Sequence, residues 1–306
     1  MSSASVTRPA PQVARLEADL ASAFEVEAAV VTASGSAALL AAVATCCRPG
    51  DEVLLPGWIS LTVVNAVVLA GAVPVLVDVD ADLGWSESSA SEVLRTTTSL
   101  AVYAPFGGRW HDLPRWLSWV RSHGVRPLLD LVPCADSSAW RHAGSVGLAI
   151  TSFGPRKPLG IGSGGAVLGD RAAMAAAATF LRGGFDGAGR KVGVGIRLPL
   201  DGDRCEAAAA RLRHVRAAQD RLADATARVL ATRAASLLPG WADTSGPLSK
   251  VPTVDGSGET LHPDATHRCP GWQAAVAARH PGRTAQGPLP VLDELYDRLR
   301  ITRVAP

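Results

Sequence analysis

Lysine is almost missing from this chain. Only Lys157, Lys191 and Lys250 occur in 306 residues, so 27 of the 30 basic residues are arginine. Against 28 acidic residues the net charge is +2. That balance excludes nucleic acid or an anionic membrane surface as the main partner. Arginine already carries the surface charge. A retained lysine therefore points to a need arginine cannot meet, an amine that can give up its proton.

Long apolar runs are also missing. The longest, Val63–Val79, is interrupted by Asn65, Gly71, Pro74 and Asp78, which excludes a membrane-spanning helix. The opening MSSASVTRPAPQ has no hydrophobic signal core, so the expected location is the cytoplasm. Cysteine is sparse and odd in number. Cys46, Cys47, Cys134, Cys205 and Cys269 match no zinc or redox spacing, and buried thiols are expected. His111, His123 and His142 have no metal-ligand spacing and are expected at the surface or in turns. Trp110, Trp116 and Trp119 lie near helical spacing and are expected to pack.

What remains is a globular balance of 47% hydrophobic and 19% charged residues. The first two-thirds alternates helix and strand patterns. Helices are predicted over Val13–Phe24, Ala37–Cys46, Leu61–Ala70 and Leu113–Ser122. Strands are predicted at Val30–Thr32, Glu52–Leu55, Val73–Val79, Leu100–Ala104, Pro127–Leu129 and Leu148–Ser152. The strands are continuously apolar rather than alternating. The expected fold is therefore α/β, a mostly parallel sheet flanked by helices. A long Ala/Arg/Leu helix, Cys205–Leu230, follows, then Gly/Pro-rich text with short helices near Gln273–Arg279 and Leu292–Leu299. The predicted division is a large domain over 1–200 and a small C-terminal domain over 201–306.

In such a sheet, ligands bind beyond the carboxyl ends of the strands. Three features fall there. Ser34-Gly35-Ser36 precedes a helix, Asp130 closes a strand, and Lys157 sits in the loop after Ser152. Each alone has a plain structural reading: a helix N-cap, a turn carboxylate and a solvated lysine. Together and in this order they supply what pyridoxal phosphate (PLP) requires. Lys157 supplies the Schiff-base amine, and Asp130 a carboxylate for the pyridine nitrogen. Ser34, Gly35 and Ser36 supply donors for the phosphate at a helix N-terminus. Trp58 is a candidate to stack on the cofactor ring. The run Gly160–Gly165 is not a dinucleotide fingerprint, because Lys157 and Pro158 separate it from the strand and no acidic ribose partner is evident.

At these positions the chain resembles the DegT/DnrJ/EryC1/StrS family of fold-type I PLP enzymes, best known as sugar aminotransferases. The similarity runs from about Leu16 to Leu230. It rests on Ser34-Gly35-Ser36-Ala37-Ala38-Leu39, on Gly50-Asp51-Glu52-Val53 with Pro56, and on the strand Gly71–Asp78. Asp130 and Ser152-Phe153 with Lys157 before a Gly-rich turn complete it. The resemblance implies that Lys157 bonds PLP, that Asp130 pairs with the pyridinium, and that Ser152, Gly35 and Ser36 hold phosphate. It places Ser60 at the ring-stacking position. It also implies a homodimer with shared active sites, the segment Gly193–Arg197 reaching into the neighbour's site and Arg197 with it. The chain departs from the family pattern at Pro133, Ser60, Ser163 and Gly195. The implied partners are a small-molecule amino donor and a keto or aldehyde acceptor from nucleotide-sugar or secondary-metabolite biosynthesis. The alternatives on the same fold are a PLP-dependent lyase, cyclase or carbon–carbon bond-forming enzyme, and a non-catalytic homologue.

Overall fold

The computed structural model describes residues 9–134, 140–238, 240–244, 247–254, 259–260, 270–281, 289–296 and 300–304. In chain order, α1 (Pro11–Ala23) leads to β1 (Ala28–Thr32) and α2 (Gly35–Cys46). Next come β2 (Glu52–Pro56), α3 (Leu61–Leu69), β3 (Val73–Val77), α4 (Glu87–Val93) and β4 (Thr98–Tyr103). Then follow α5 (Leu113–Ser122), β5 (Arg126–Asp130), α6 (His142–Val146), β6 (Leu148–Ser152), β7 (Gly165–Gly169) and α7 (Arg171–Leu181). The long helix α8 (Gly202–Arg233) precedes β8 (Lys250–Thr253), β9 (Glu259–Thr260), α9 (Pro270–Arg279), α10 (Pro290–Tyr296) and β10 (Arg300–Arg303). Strands β1 to β7 form a seven-stranded, mostly parallel sheet, the predicted α/β class.

The chain divides into two compact units. One comprises 1–46, 128–132 and 137–216; the other comprises 47–127, 133–136 and 217–306. In the first, the strand order is β1-β7-β6-β5. β7 runs antiparallel to both β1 and β6, while β5 and β6 are parallel. The carboxyl ends of β1, β5 and β6 therefore share one edge. Helix α2 packs across β6 and β7, and α1 and α7 pack on β1. The Phe24 and Trp140 rings stack at 4.2 Å.

In the second unit β2 lies between β3 and β4, parallel to both. Every residue of β2 and β3 is buried, as strands covered on both faces must be. Helix ends carry their own signals. Asp112 accepts from the Arg115 N–H at 3.0 Å and starts α5, and Ser60 accepts from Thr62 and starts α3. β8, β10 and β9 make a separate antiparallel sheet.

The helix Leu113–Ser122 and the strand Leu148–Ser152 stand at their predicted residues. Two elements between Ser152 and residue 200 were not predicted. β7 is framed by glycines and reads as loop, and α7 is a run of mostly alanine in a stretch for which no element was predicted. The sheet of β8, β9 and β10 was unexpected, since β8 and β9 lie in Gly/Pro-rich text and β10 is a four-residue strand with a charged residue at each end. Residues 297–299 of the predicted helix Leu292–Leu299, and Cys269, lie outside the described residues. Cys47, Cys134 and Cys205 are buried, and Cys46 is half-buried. Among the described residues no helix is long and apolar enough to cross a membrane.

Candidate active site

Asp130 is the last residue of β5 and is buried, 4% exposed. Its Oδ1 accepts from the Val132 N–H at 2.9 Å. Burial pushes its carboxyl up to about 6; the Val132 N–H and the nearby positive charge of Lys157 pull in the opposite direction. A carboxylate so deeply placed is costly unless a cation meets it. Lys157 is that charge on the chain's own side, half-buried in the loop between β6 and β7. Its N–H donates to the Gly154 carbonyl at 3.0 Å.

Ser152 ends β6 and faces Thr32, the end of β1, across their shared partner Gly165 of β7. Ser152 Oγ accepts from the Gly154 N–H at 3.3 Å. Ser34 and Gly164 form a further bridge beyond these strand ends. Helix α2 starts at this point. Ser34 Oγ accepts from the Ala37 N–H at 3.1 Å, and the Ser34 carbonyl accepts from Ala38. The Gly35 and Ser36 N–H groups, in the first turn, have no intrahelical acceptor and carry the positive end of the helix dipole.

Glycine is required twice in this cradle. A Cβ on Gly35 would meet the Ser152 side chain, and one on Gly165 would fall 2.7 Å from the backbone of Ser34 and Gly35. The backbone thus closes on a hydroxyl and two outward N–H groups, an arrangement suited to a phosphate. Asp130 and Lys157 in the same unit suit a ring with a protonated nitrogen and a reactive carbonyl. The residues present therefore fit PLP.

The structure brings Ser34, Gly35, Ser36, Asp130, Ser152 and Lys157 into one compact unit. Trp58 and Ser60 belong to the other unit. There the Trp58 indole donates to the Leu83 carbonyl at 3.1 Å and meets the Phe106 ring edge-on at 5.0 Å. Ser60 is the N-cap of α3. Arg197 is exposed, its backbone bridged to Arg182. Sequence reasoning missed Gly165 and Gly154 as parts of the cradle. The glycine run was visible, but which glycine faces Ser34 depends on the β1–β7 register. His111, expected at the surface or in a turn, lies in the irregular chain just before α5. Its side chain is half-buried beside Asp82. Among the described residues no group of three or more His, Cys, Asp or Glu is placed to hold a metal ion.

A profile of the DegT/DnrJ/EryC1/StrS aminotransferase family matches residues 1–228. Among solved structures, the chain is similar to DesV of S. venezuelae, with a TM-score of 0.79 and 21% identity over 97% of this chain and 84% of that one. It is similar to NtdA of Bacillus subtilis, solved with bound cofactor PMP, with a TM-score of 0.81 and 16% identity over 97% and 73%. It is similar to PseC of Helicobacter pylori, an aminotransferase of pseudoaminic acid biosynthesis, with a TM-score of 0.74 and 16% identity over 97% and 86%. At these identities the structures establish the fold.

Proposed function

Starting from the fact that the chain belongs to the DegT/DnrJ/EryC1/StrS aminotransferase family, we propose that it transfers an amino group from a small donor to a keto or aldehyde carbon. The acceptor is an intermediate of nucleotide-sugar or secondary-metabolite biosynthesis. The observation that carries the reading is the buried Asp130 with the Lys157 charge acting on it, in one unit with the Gly35–Ser152 cradle.

Bound PLP supplies an electron sink for the negative charge that develops on the donor carbon. The chain does the rest. Asp130 would pair with the ring nitrogen and keep it protonated, a cation that its burial calls for. The N–H groups of Gly35 and Ser36, with the hydroxyls of Ser34, Ser36 and Ser152, would hold the phosphate at the α2 N-terminus. Lys157 Nζ would anchor the cofactor, and its free amine would move the proton as general base and acid. For that step the amine must be neutral. Trp58 and Ser60 are assigned to the ring-stacking side.

The proposal places the cofactor site in residues 1–200, with 201–306 as a smaller domain, and the enzyme in the cytoplasm as a homodimer. Support for the dimer comes from the segment following Gly183. Val194 is 92% exposed, and Val192 and Ile196 are exposed beside it. Exposed apolar side chains grouped in this way suit burial against a partner. Arg197, next in sequence, is assigned to the neighbour's site.

The decisive measurement is the absorbance spectrum of the purified protein before and after adding glutamate. A yellow, borohydride-reducible adduct at Lys157 that is bleached by the donor alone supports transamination. An adduct that persists with every common donor overturns it in favour of a lyase or carbon–carbon bond-forming reaction. No adduct at all would make the chain a non-catalytic homologue.

A further inference from the structure

The chain enters the phosphate cradle from β1, and that entry is tied down by a segment from much later in the sequence. Thr32, the last residue of β1, is fully buried at 0% exposure. It pairs with Gly165, and past it the regular ladder to β7 ends. Only Ala33 then separates the strand from Ser34, Gly35 and the start of α2. Two donors meet one acceptor here. Thr32 Oγ1 donates to the Leu198 carbonyl at 2.6 Å, and the Ala33 N–H donates to the same oxygen at 3.0 Å.

Leu198 is a firm post. The segment that carries it is fastened to the end of α7. The Ile196 N–H donates to the Phe180 carbonyl at 2.9 Å, the Leu198 N–H donates to Leu181 at 3.4 Å, and Arg197 bridges Arg182. Gly195 permits this approach, because a Cβ there would run into the Phe180 carbonyl. Two residues past the post, Leu200 is buried, and a Cβ on Gly164 would fall 3.2 Å from its side chain. Gly164 in turn bridges Ser34. With the acceptor fixed in this way, the Thr32 hydroxyl sets where β1 ends and does not merely follow it.

Packing alone does not call for threonine here. Valine has the same branched shape at a strand end and no hydroxyl to desolvate. The hydroxyl is what the position adds, and its bond runs to the carbonyl that also holds Ala33. We infer that Thr32 is a positioning residue for the cofactor phosphate. Through Leu198 it fixes Ala33, and through Ala33 it aims the Gly35 and Ser36 N–H groups. It acts through the backbone, since a fully buried side chain is closed to a ligand. This role rests on the cradle's proposed assignment to the PLP phosphate.

The test compares PLP with pyridoxal, the same aldehyde without the phosphate, in titrations of the cofactor-free protein followed by absorbance. Thr32→Val is expected to weaken PLP by about fivefold or more, as the loss of one hydrogen bond would, while leaving pyridoxal affinity unchanged. Thr32→Ser, which keeps the hydroxyl, is expected to bind PLP as the unaltered protein does. Equal losses for both compounds, or no loss for either, confine Thr32 to packing and overturn the assignment. A Thr32→Ser protein as weak as Thr32→Val does the same. Should Thr32→Val fail to fold, hydrogen exchange on the unaltered protein decides. PLP but not pyridoxal is expected to slow exchange of the Ala33 amide, and equal protection by the two compounds sinks the role. An unaltered protein that binds neither compound would remove the cofactor reading and Thr32's role together. One that binds PLP normally, beside an equally tight Thr32→Val, removes only the latter.

Discussion

A Cβ placed on Gly35 would stand 2.8 Å from the Cβ of Ser152. Real side chains do not tolerate that separation, so the start of α2 and the end of β6 are held together by the absence of a methyl group. Gly35→Ala is expected to push the helix N-terminus away from Ser152. The cost to folding should be that of an overpacked contact, about 1–3 kcal/mol. Cofactor affinity should also fall, by about tenfold or more, because the displaced N–H groups are the ones that would meet the phosphate. A PLP titration beside a thermal melt checks this. Unchanged affinity with a lowered Tm would confine Gly35 to a packing role.

Asp130 leads to a pH prediction. Its carboxyl is raised from 3.8 to about 6 in the folded chain, chiefly by burial. A raised carboxyl binds its proton more tightly when folded, so this group's stabilising contribution is present below pH 4. The contribution fades as pH rises through about 6. At roughly 1.4 kcal/mol per unit, the loss by pH 7.5 is on the order of 2–3 kcal/mol. The cofactor-free protein should therefore gain stability on moving from pH 7.5 to pH 5 as far as this residue is concerned. Asp130→Asn should flatten that part of the profile. PLP binding should reverse it, since a pyridinium favours the ionised form. Urea melts at the two pH values, with and without PLP, decide the point. The same variant should lose about 10²-fold or more of any transaminase activity, since an electron sink needs the ring nitrogen protonated.

The site was legible where residue type and strand end coincide. Asp130 and Ser152 close apolar runs, and Lys157 stands out because the chain otherwise avoids lysine. What was not legible depends on register and packing. Gly165 matters because β7 turns back antiparallel and sets it against Ser34. A short strand framed by glycines gives no periodic signal. The pairing of His111 with Asp82, 29 positions earlier, was not legible, because no sequence rule links the two. Their 3.3 Å approach follows from how the β3–α4 connection folds back.

Asp78 anchors the other unit's C-terminal helix. It is buried, and its Oδ1 accepts from the N–H groups of Val79 at 2.9 Å and Leu292 at 3.0 Å. Oδ2 accepts from Val291 at 2.8 Å. The sequence places this residue at the end of a strand, and the structure makes it the cap of α10, whose first residue is Pro290. Asp78→Ala would strand buried donors at about 1–3 kcal/mol each, for a total on the order of 3–5 kcal/mol. Asp78→Asn, which keeps one acceptor oxygen, should cost about half. Hydrogen exchange at Val291 and Leu292 checks the mechanism, since both amides should lose protection before the β2–β3 amides do.

The exposed apolar segment gives the last prediction. Val194 is 92% exposed, and nothing in an isolated chain rewards a valine there. Its neighbourhood is nonetheless ordered. The N–H groups of Val192 and Gly193 donate to the Gly184 carbonyl, and that of Ile196 donates to Phe180. A shaped backbone carrying outward valine and isoleucine is what a buried interface needs and what a solvated loop does not. Val194→Asp should therefore shift the protein from dimer to monomer, measured by light scattering on a sizing column. The monomer should keep its helix content, because the hydrogen bonds that hold the segment lie within one chain. If Arg197 serves the neighbour's site, activity should fall with the dimer fraction and return at high protein concentration. A Val194→Asp protein that stays dimeric would remove the segment from the interface. One that becomes monomeric yet fully active would show that each chain holds a complete site.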